Sequence, residues 1–143
     1  MFLGEYQHAL DAKGRIILPS RFRARMAQGC VLTRGQDTCL SVYPVEDFEE
    51  LAGRLKSAKQ SNPRRRNFLR MFFSGAHEEV PDKQGRVTIP EHLRIYAHLD
   101  RDVTVIGAGA RFEIWDRNRW DEQQTQVEQE YRDLDFEDPD LDF

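Results

Sequence analysis

Apolar and polar positions divide the 143-residue chain into short runs of strand and helix character, punctuated by Gly and Pro. Residues 2–10 (FLGEYQHAL) read as a strand. Asp11-Ala12-Lys13-Gly14 reads as a turn, because the Asp side chain can bond to the turn's backbone and Gly accepts positive φ. Residues 15–18 (RIIL) form a β-branched return strand, so the local reading is a β-hairpin. Pro19 suits a first helical position, and residues 20–26 predict a short helix with Phe22 turned inward. Residues 30–34 and 39–43 predict a second strand pair across Gly35-Gln36-Asp37. Pro44 then opens a helix through about Lys59, with Phe48, Leu51, Ala52 and Leu55 at helical spacing.

The same order recurs. Asp11, Gly14, Arg15, Pro19 and Arg23 are repeated by Asp82, Gly85, Arg86, Pro90 and Arg94 at an offset of 71 residues, with apolar positions matched between them. After one inserted residue, Val31, Gly35, Leu40, Val42, Tyr43 and Phe48 match Val103, Gly107, Phe112, Ile114, Trp115 and Trp120. The chain is therefore two copies of one unit of about 60 residues. Residues 1–60 are the first copy, 61–73 a basic connecting helix, 74–132 the second copy and 133–143 an acidic tail that reads as disordered. In the second copy, residues 74–80 are expected to pair with 86–89 and residues 103–106 with 111–115, ahead of a helix over about 117–131. The recurrence of Phe22, Phe48, Leu93 and Trp120 at matched places points to core or interface packing. Gly107-Ala108-Gly109 lacks the third Gly of a phosphate loop and matches the first copy's hairpin turn.

Charge changes the picture. The net charge is -4, but residues 1–120 carry +5 and residues 121–143 carry -9. A mildly basic body with an acidic tail suits a polyanionic partner better than the total suggests. No apolar run approaches the ~20 residues of a membrane span, and the N-terminus lacks the pattern of a signal peptide, so the expected location is the cytosol. Cys30 and Cys39 form no CxxC pair, and the four histidines show no zinc-ligand spacing with them. No set of nucleophile, base and orienting group can be named, so neither a catalytic site, a cofactor nor a metal is expected.

The chemistry concentrates in the two turns. An Arg directly after the turn Gly can project from the rim, where its planar donor fork matches guanine O6 and N7 in the DNA major groove. Arg15 and Arg86 are the candidate base readers. Lys13 and Lys83 lie within the turns, where they can meet phosphates. Asp11, Gly14, Asp82 and Gly85 are the turn-structuring residues. The plainer reading makes each Asp–Arg pair a surface ion pair worth ~0–1 kcal/mol. On these residues alone both readings stand open. Arg64-Arg65-Arg66, with Arg70, is the densest basic run; a solvated face, phosphate contact and a subunit contact to acidic groups are all compatible with it.

The doubled Asp-x-x-x-Arg turn, each copy followed by β-branched residues and Pro, resembles the MraZ family, within the AbrB/SpoVT-like swapped-hairpin class of bacterial transcription factors. The opening Met-Phe-Leu-Gly-Glu-Tyr is similar too, and the resemblance spans residues 1–131. It implies an α+β, mainly β fold: an internally duplicated double-psi or swapped-hairpin β-barrel with peripheral helices, closed within one chain around a pseudo-twofold axis. It also implies closed-ring homo-oligomers whose turns face double-stranded DNA, on tandem G-rich repeats upstream of the protein's own division and cell-wall operon. There such proteins act mainly as repressors, in the cytoplasm at the nucleoid. The alternative from another class is an antitoxin-like or scaffolding module that binds protein on the same barrel.

Overall fold

A computed structural model describes residues 1–57, 61–133 and 140. The first copy supplies β1 (Glu5–Ala9), β2 (Arg15–Ile17), a 3-10 turn (Ser20–Phe22) running into α1 (Arg23–Met26), β3 (Cys30–Arg34), β4 (Leu40–Pro44) and α2 (Val45–Lys56). A connecting helix, α3 (Pro63–Gly75), follows. The second copy supplies β5 (His77–Glu79), β6 (Arg86–Thr88), α4 (Glu91–Tyr96), β7 (Asp102–Gly107), β8 (Phe112–Asp116) and α5 (Arg117–Asp133). Pro19, Pro44 and Pro90 each stand one place before the first helical residue, ahead of the 3-10 turn, α2 and α4, so Pro19 caps its helical turn rather than taking the first position in it. Pro63 opens α3, where the Asn62 side chain accepts from the Arg64 N–H at 2.8 Å.

Strand pairing departs from the local hairpin reading. β1 does not pair with β2, and β5 does not pair with β6. Instead β1 pairs with β7, β5 with β3, and β2 with β6, every one of these across the two copies. The six-stranded sheet runs β1-β7-β8-β4-β3-β5, and β2-β6 forms a separate two-stranded ribbon. Exchanging each strand for its counterpart turns this order into its own reverse, as a pseudo-twofold axis requires. That axis passes through the Ile16–Val87 pair of the ribbon and the Ser41–Glu113 pair of the sheet. The fold is thus α+β and internally duplicated, with swapped hairpins. The physical reason lies in the turn: each closes locally, yet its two strands splay to different sheets, where their apolar faces meet the other copy.

Element boundaries also shift: β1 is confined to Glu5–Ala9 and the connecting helix runs Pro63–Gly75. β5 is confined to three residues because Ser74 and Gly75 finish α3. α2 ends at Lys56, and residues 58–60 lie outside the described residues, as does most of the acidic tail.

One core serves both copies. Ile16 and Val87 point from the ribbon into a cluster with Leu32, Val42, Val105, Phe112 and Ile114 from the sheet. Phe22 and Leu93, matched in sequence, are both buried there, and Phe22 stacks on Phe112 at 5.2 Å. Phe48 on α2 and Trp120 on α5 are half-buried. Burial pushes both thiols, Cys30 and Cys39, up to about 12, so neither is a reactive nucleophile at neutral pH. Among the described residues no helix is long and apolar enough to cross a membrane.

Candidate nucleic-acid interface

Each turn is built by its aspartate. Asp11 Oδ1 accepts from the backbone N–H of Lys13 and of Arg15, both at 2.9 Å, and Oδ2 accepts from Arg15 Nε at 2.7 Å. Asp82 does the same for Gln84 and Arg86, again at 2.9, 2.9 and 2.7 Å. The backbone closes around them: Asp11 N–H donates to Arg15 O and Asp82 N–H to Arg86 O, both at 3.0 Å. Three donors converge on each carboxylate. The Arg backbone N–H is the leading cause that holds each carboxyl below its ordinary value of 3.8, with the guanidinium and the neighbouring backbone N–H adding to it.

Gly14 (φ +74°) and Gly85 (φ +77°) take the left-handed conformation the turns require. A second constraint comes from the other copy. A Cβ on Gly14 would lie 2.9 Å from Arg94 Nε and Cζ, and one on Gly85 would lie 2.7 Å from Arg23 Nε. Arg94 Nε donates to Ile89 O at 3.0 Å and Arg23 Nε to Leu18 O at 3.1 Å. Gly14 O in turn accepts from Ile89 N–H and Gly85 O from Leu18 N–H, at 2.9 and 2.8 Å. Each turn therefore rests on an arginine and a strand end of the opposite copy. Arg23 and Arg94 were legible only as repeated letters, since nothing local says that they cross to the other turn.

The β2-β6 register decides where the candidate readers face. Arg15 lies opposite Thr88, and Ile17 opposite Arg86. Because side chains alternate, Ile16 and Val87 enter the core while Arg15, Ile17, Arg86 and Thr88 share the outer face. Arg15 and Arg86 are diagonal neighbours there, about 7–8 Å apart at the backbone. Both side chains remain 27% exposed, and among the described residues no group accepts from their Nη atoms. The ion pair thus leaves donors uncommitted: Nε is held by the aspartate, and the Nη atoms have no hydrogen-bond partner among the described residues. Lys13 and Lys83 are exposed but occupy different places, the third and second residue of their turns. Arg64, Arg65 and Arg70 lie on α3, in neither turn. Among the described residues no cluster of His, Cys, Asp and Glu could hold a metal ion.

The geometry defines a class first: a duplicated swapped-hairpin barrel that presents two aspartate-buttressed arginines on one cross-copy ribbon. The family described as "MraZ protein, putative antitoxin-like" matches the chain twice, over residues 1–71 and 72–140. The chain is similar to the transcriptional regulator MraZ of Salinispora tropica, 51% identical over 134 residues and 94% of each chain. It is likewise similar to the same-named proteins of Micrococcus luteus and Kocuria rhizophila, 56% and 55% identical over 84% of each chain. The chain belongs to the MraZ family, whose named members are transcriptional regulators and not enzymes.

Proposed function

We propose that the protein is a sequence-specific regulator of transcription that binds double-stranded DNA with its β2-β6 ribbon. The observation that carries this reading is the pair of Arg15 and Arg86 side chains on one face of a two-stranded ribbon, each fixed at Nε and with no hydrogen-bond partner at Nη among the described residues. Such a ribbon fits the major groove, and a guanidinium held in one orientation reads guanine O6 and N7 without losing much side-chain entropy on binding. The backbone spacing of about 7–8 Å corresponds to about two base steps of ~3.4 Å. Lys13 and Lys83 supply phosphate contacts, which add affinity but do not read sequence. Asp11, Asp82, Gly14 and Gly85 hold the turns in shape.

One ribbon presents two guanine readers, too few for a specific site in the usual affinity range. Self-association into a closed ring aligns many ribbons along tandem G-rich repeats, and effective concentration multiplies the weak contacts. In this reading the target lies upstream of the protein's own division and cell-wall operon, the effect is mainly repression, and the protein works at the nucleoid in the cytoplasm. The test is a gel shift and footprint on that upstream DNA with the Arg15→Ala/Arg86→Ala protein. Specific binding is expected to disappear while the fold persists; tight binding to the G-rich repeat by the double variant overturns the reading.

A further inference from the structure

The outer face of the β2-β6 ribbon carries two positions on each strand, and one of them breaks the pseudo-twofold symmetry. Arg15 and Arg86 occupy matched places. So do Ile16 and Val87, and Leu18 and Ile89, all four of which are buried. Ile17, however, is matched by Thr88. Ile17 is 45% exposed between two buried neighbours, so the core does not account for an isoleucine there. The second copy holds a polar residue at the same place, so the fold does not require an apolar one. The surroundings differ as well: Thr88 N–H donates to Glu79 Oε2 at 2.8 Å, and the residue matching Glu79 in the first copy is His8.

The register sets each of these two residues beside one arginine: Ile17 faces Arg86, and Thr88 faces Arg15. Cross-strand bonds flank the two pairs, from Leu18 N–H to Gly85 O at 2.8 Å and from Ile89 N–H to Gly14 O at 2.9 Å. The N–H groups of Arg15, Arg86 and Thr88 donate instead to the side chains of Asp11, Asp82 and Glu79. Both pairs are therefore of the non-hydrogen-bonded kind, in which facing Cα atoms approach to about 4.5 Å. That distance is close to one base step of ~3.4 Å. An arginine that reads a guanine thus brings its cross-strand neighbour against the next base in the same groove. There an apolar side chain can tell pyrimidines apart, because thymine carries a C5-methyl group in the major groove and cytosine does not. Isoleucine contacts such a methyl and offers no hydrogen bond to a bare edge. Threonine, with a hydroxyl and a methyl, suits either.

We infer that Ile17 makes the Arg86 end of the ribbon a reader of a pyrimidine C5-methyl group beside its guanine, while Thr88 leaves the Arg15 end indifferent to that group. Thymine and 5-methylcytosine both present it. The two guanine contacts stay alike; the bases beside them do not. A pseudo-symmetric ribbon so equipped takes one direction on duplex DNA, because turning it round moves Ile17 to the other flank. The inference rests on the guanine reading proposed above for Arg15 and Arg86, and it names the residue that chooses the neighbouring base.

The test is a binding titration of the full chain on the G-rich upstream duplex, with the base beside each guanine set in turn to thymine, uracil, cytosine or 5-methylcytosine. Uracil is thymine without the methyl, and cytosine is 5-methylcytosine without it, so each pair isolates that one group. Wild type is expected to prefer the methylated member of both pairs at one flank only, by about fourfold for each site changed, the worth of one buried methyl-sized group. Ile17→Thr is expected to erase that preference. Thr88→Ile is expected to create the same preference at the second flank. Thermal melting of both variants confirms that the barrel is folded. A preference that survives in Ile17→Thr overturns the inference, and so does a preference within only one of the two pairs, since the bare methyl is then not what is read. Equal binding to all four duplexes by a wild type that still needs Arg15 and Arg86 overturns the methyl contact and leaves guanine reading standing. Tight binding by the Arg15→Ala/Arg86→Ala protein overturns both.

Discussion

The Asp11–Arg15 and Asp82–Arg86 turns use the same bonds at lengths that agree within 0.1 Å, from the Asp Oδ2–Arg Nε pair to the Gly N–H closing on Asp O. The helices over the two halves of the sheet share only their first contact. Tyr43 meets Phe48 at 5.9 Å in the first copy, and Trp115 meets Trp120 at 5.3 Å in the second. Beyond that, the connecting helix α3 packs beside α2, where Phe72 stacks on Phe48 at 5.6 Å and on Phe68 at 5.7 Å, while α5 has no buried residue at all. The lesson is about which constraints act on each region. A turn on a pseudo-twofold ribbon must match its mate, since each rests on the other copy; an outer helix answers only to the strand beneath it and to whatever lies outside.

The largest expected effect separates the two helical layers. Phe72 is buried at the centre of the first copy's aromatic group, so Phe72→Ala is expected to cost about 3–5 kcal/mol. Trp120→Ala should cost about 1–2 kcal/mol, because its ring is only half-buried. Denaturant unfolding of both variants measures the difference, and equal losses would mean that the layers contribute alike despite their different packing.

The next effect tests whether equal geometry means equal function. Arg15→Ala and Arg86→Ala, made singly, should each lose about 1–3 kcal/mol of specific DNA binding and do so equally. Affinities for the G-rich repeat and for random DNA give the comparison. A large loss from one arginine and none from the other would assign reading to a single turn.

Gly14→Ala should destabilise by about 1–2 kcal/mol through the left-handed backbone alone. It also forces the Arg94 guanidinium off Ile89 O, adding to that cost. In an Arg94→Ala background the second part is already lost, so the glycine substitution should cost less there. A double-mutant cycle by thermal melting measures this coupling, and the Gly85–Arg23 pair should give the same sign. Strict additivity would sever the turns from the opposite copy's arginines.

How much of this was legible in the letters follows the same division. The 71-residue offset, the turn chemistry of Asp11 and Gly14, and the inward Phe22 and Leu93 could all be read because they are local or repeated. The β3-β4 and β7-β8 hairpins could be read as well, because there neighbours in sequence do pair; the partners of β1, β2, β5 and β6 could not, since alternation says which face is buried, not which strand lies beside it. The swap came into view only through the family resemblance. Arg23 and Arg94 reach the opposite turn for the same nonlocal reason. The aromatic face of α3 went unread because its arginines dominate the composition of that segment, though Phe68 and Phe72 stand at helical spacing.

Acid should act on both turns together. Each Asp carboxyl is held below its unfolded value of 3.8, so its stabilising contribution is complete above that value and is lost as pH falls through the lower folded value. Stability measured between pH 5 and pH 2 should therefore fall less steeply in Asp11→Asn/Asp82→Asn than in wild type. Both proteins following one pH curve would show that the two carboxylates do not feel their three donors.

The smallest effect falls where the turns differ in sequence. Lys13 is matched by Gln84, and Lys83 by Ala12, so the two turns carry their lysine at different positions. Lys13 N–H is bound to Asp11 Oδ1, which fixes the backbone at the third turn position; the backbone at Lys83 has no such bond among the described residues. A phosphate contact made from a fixed backbone loses less entropy than one made from a freer one. Lys13→Ala and Lys83→Ala are each expected to weaken all DNA sequences alike and to reduce the salt slope by about 1. The loss at Lys13 should be the larger. Binding titrations of both variants across a salt series measure slope and affinity separately. A change confined to the G-rich repeat would make the lysine a base reader, and an unchanged slope would remove it from the interface altogether.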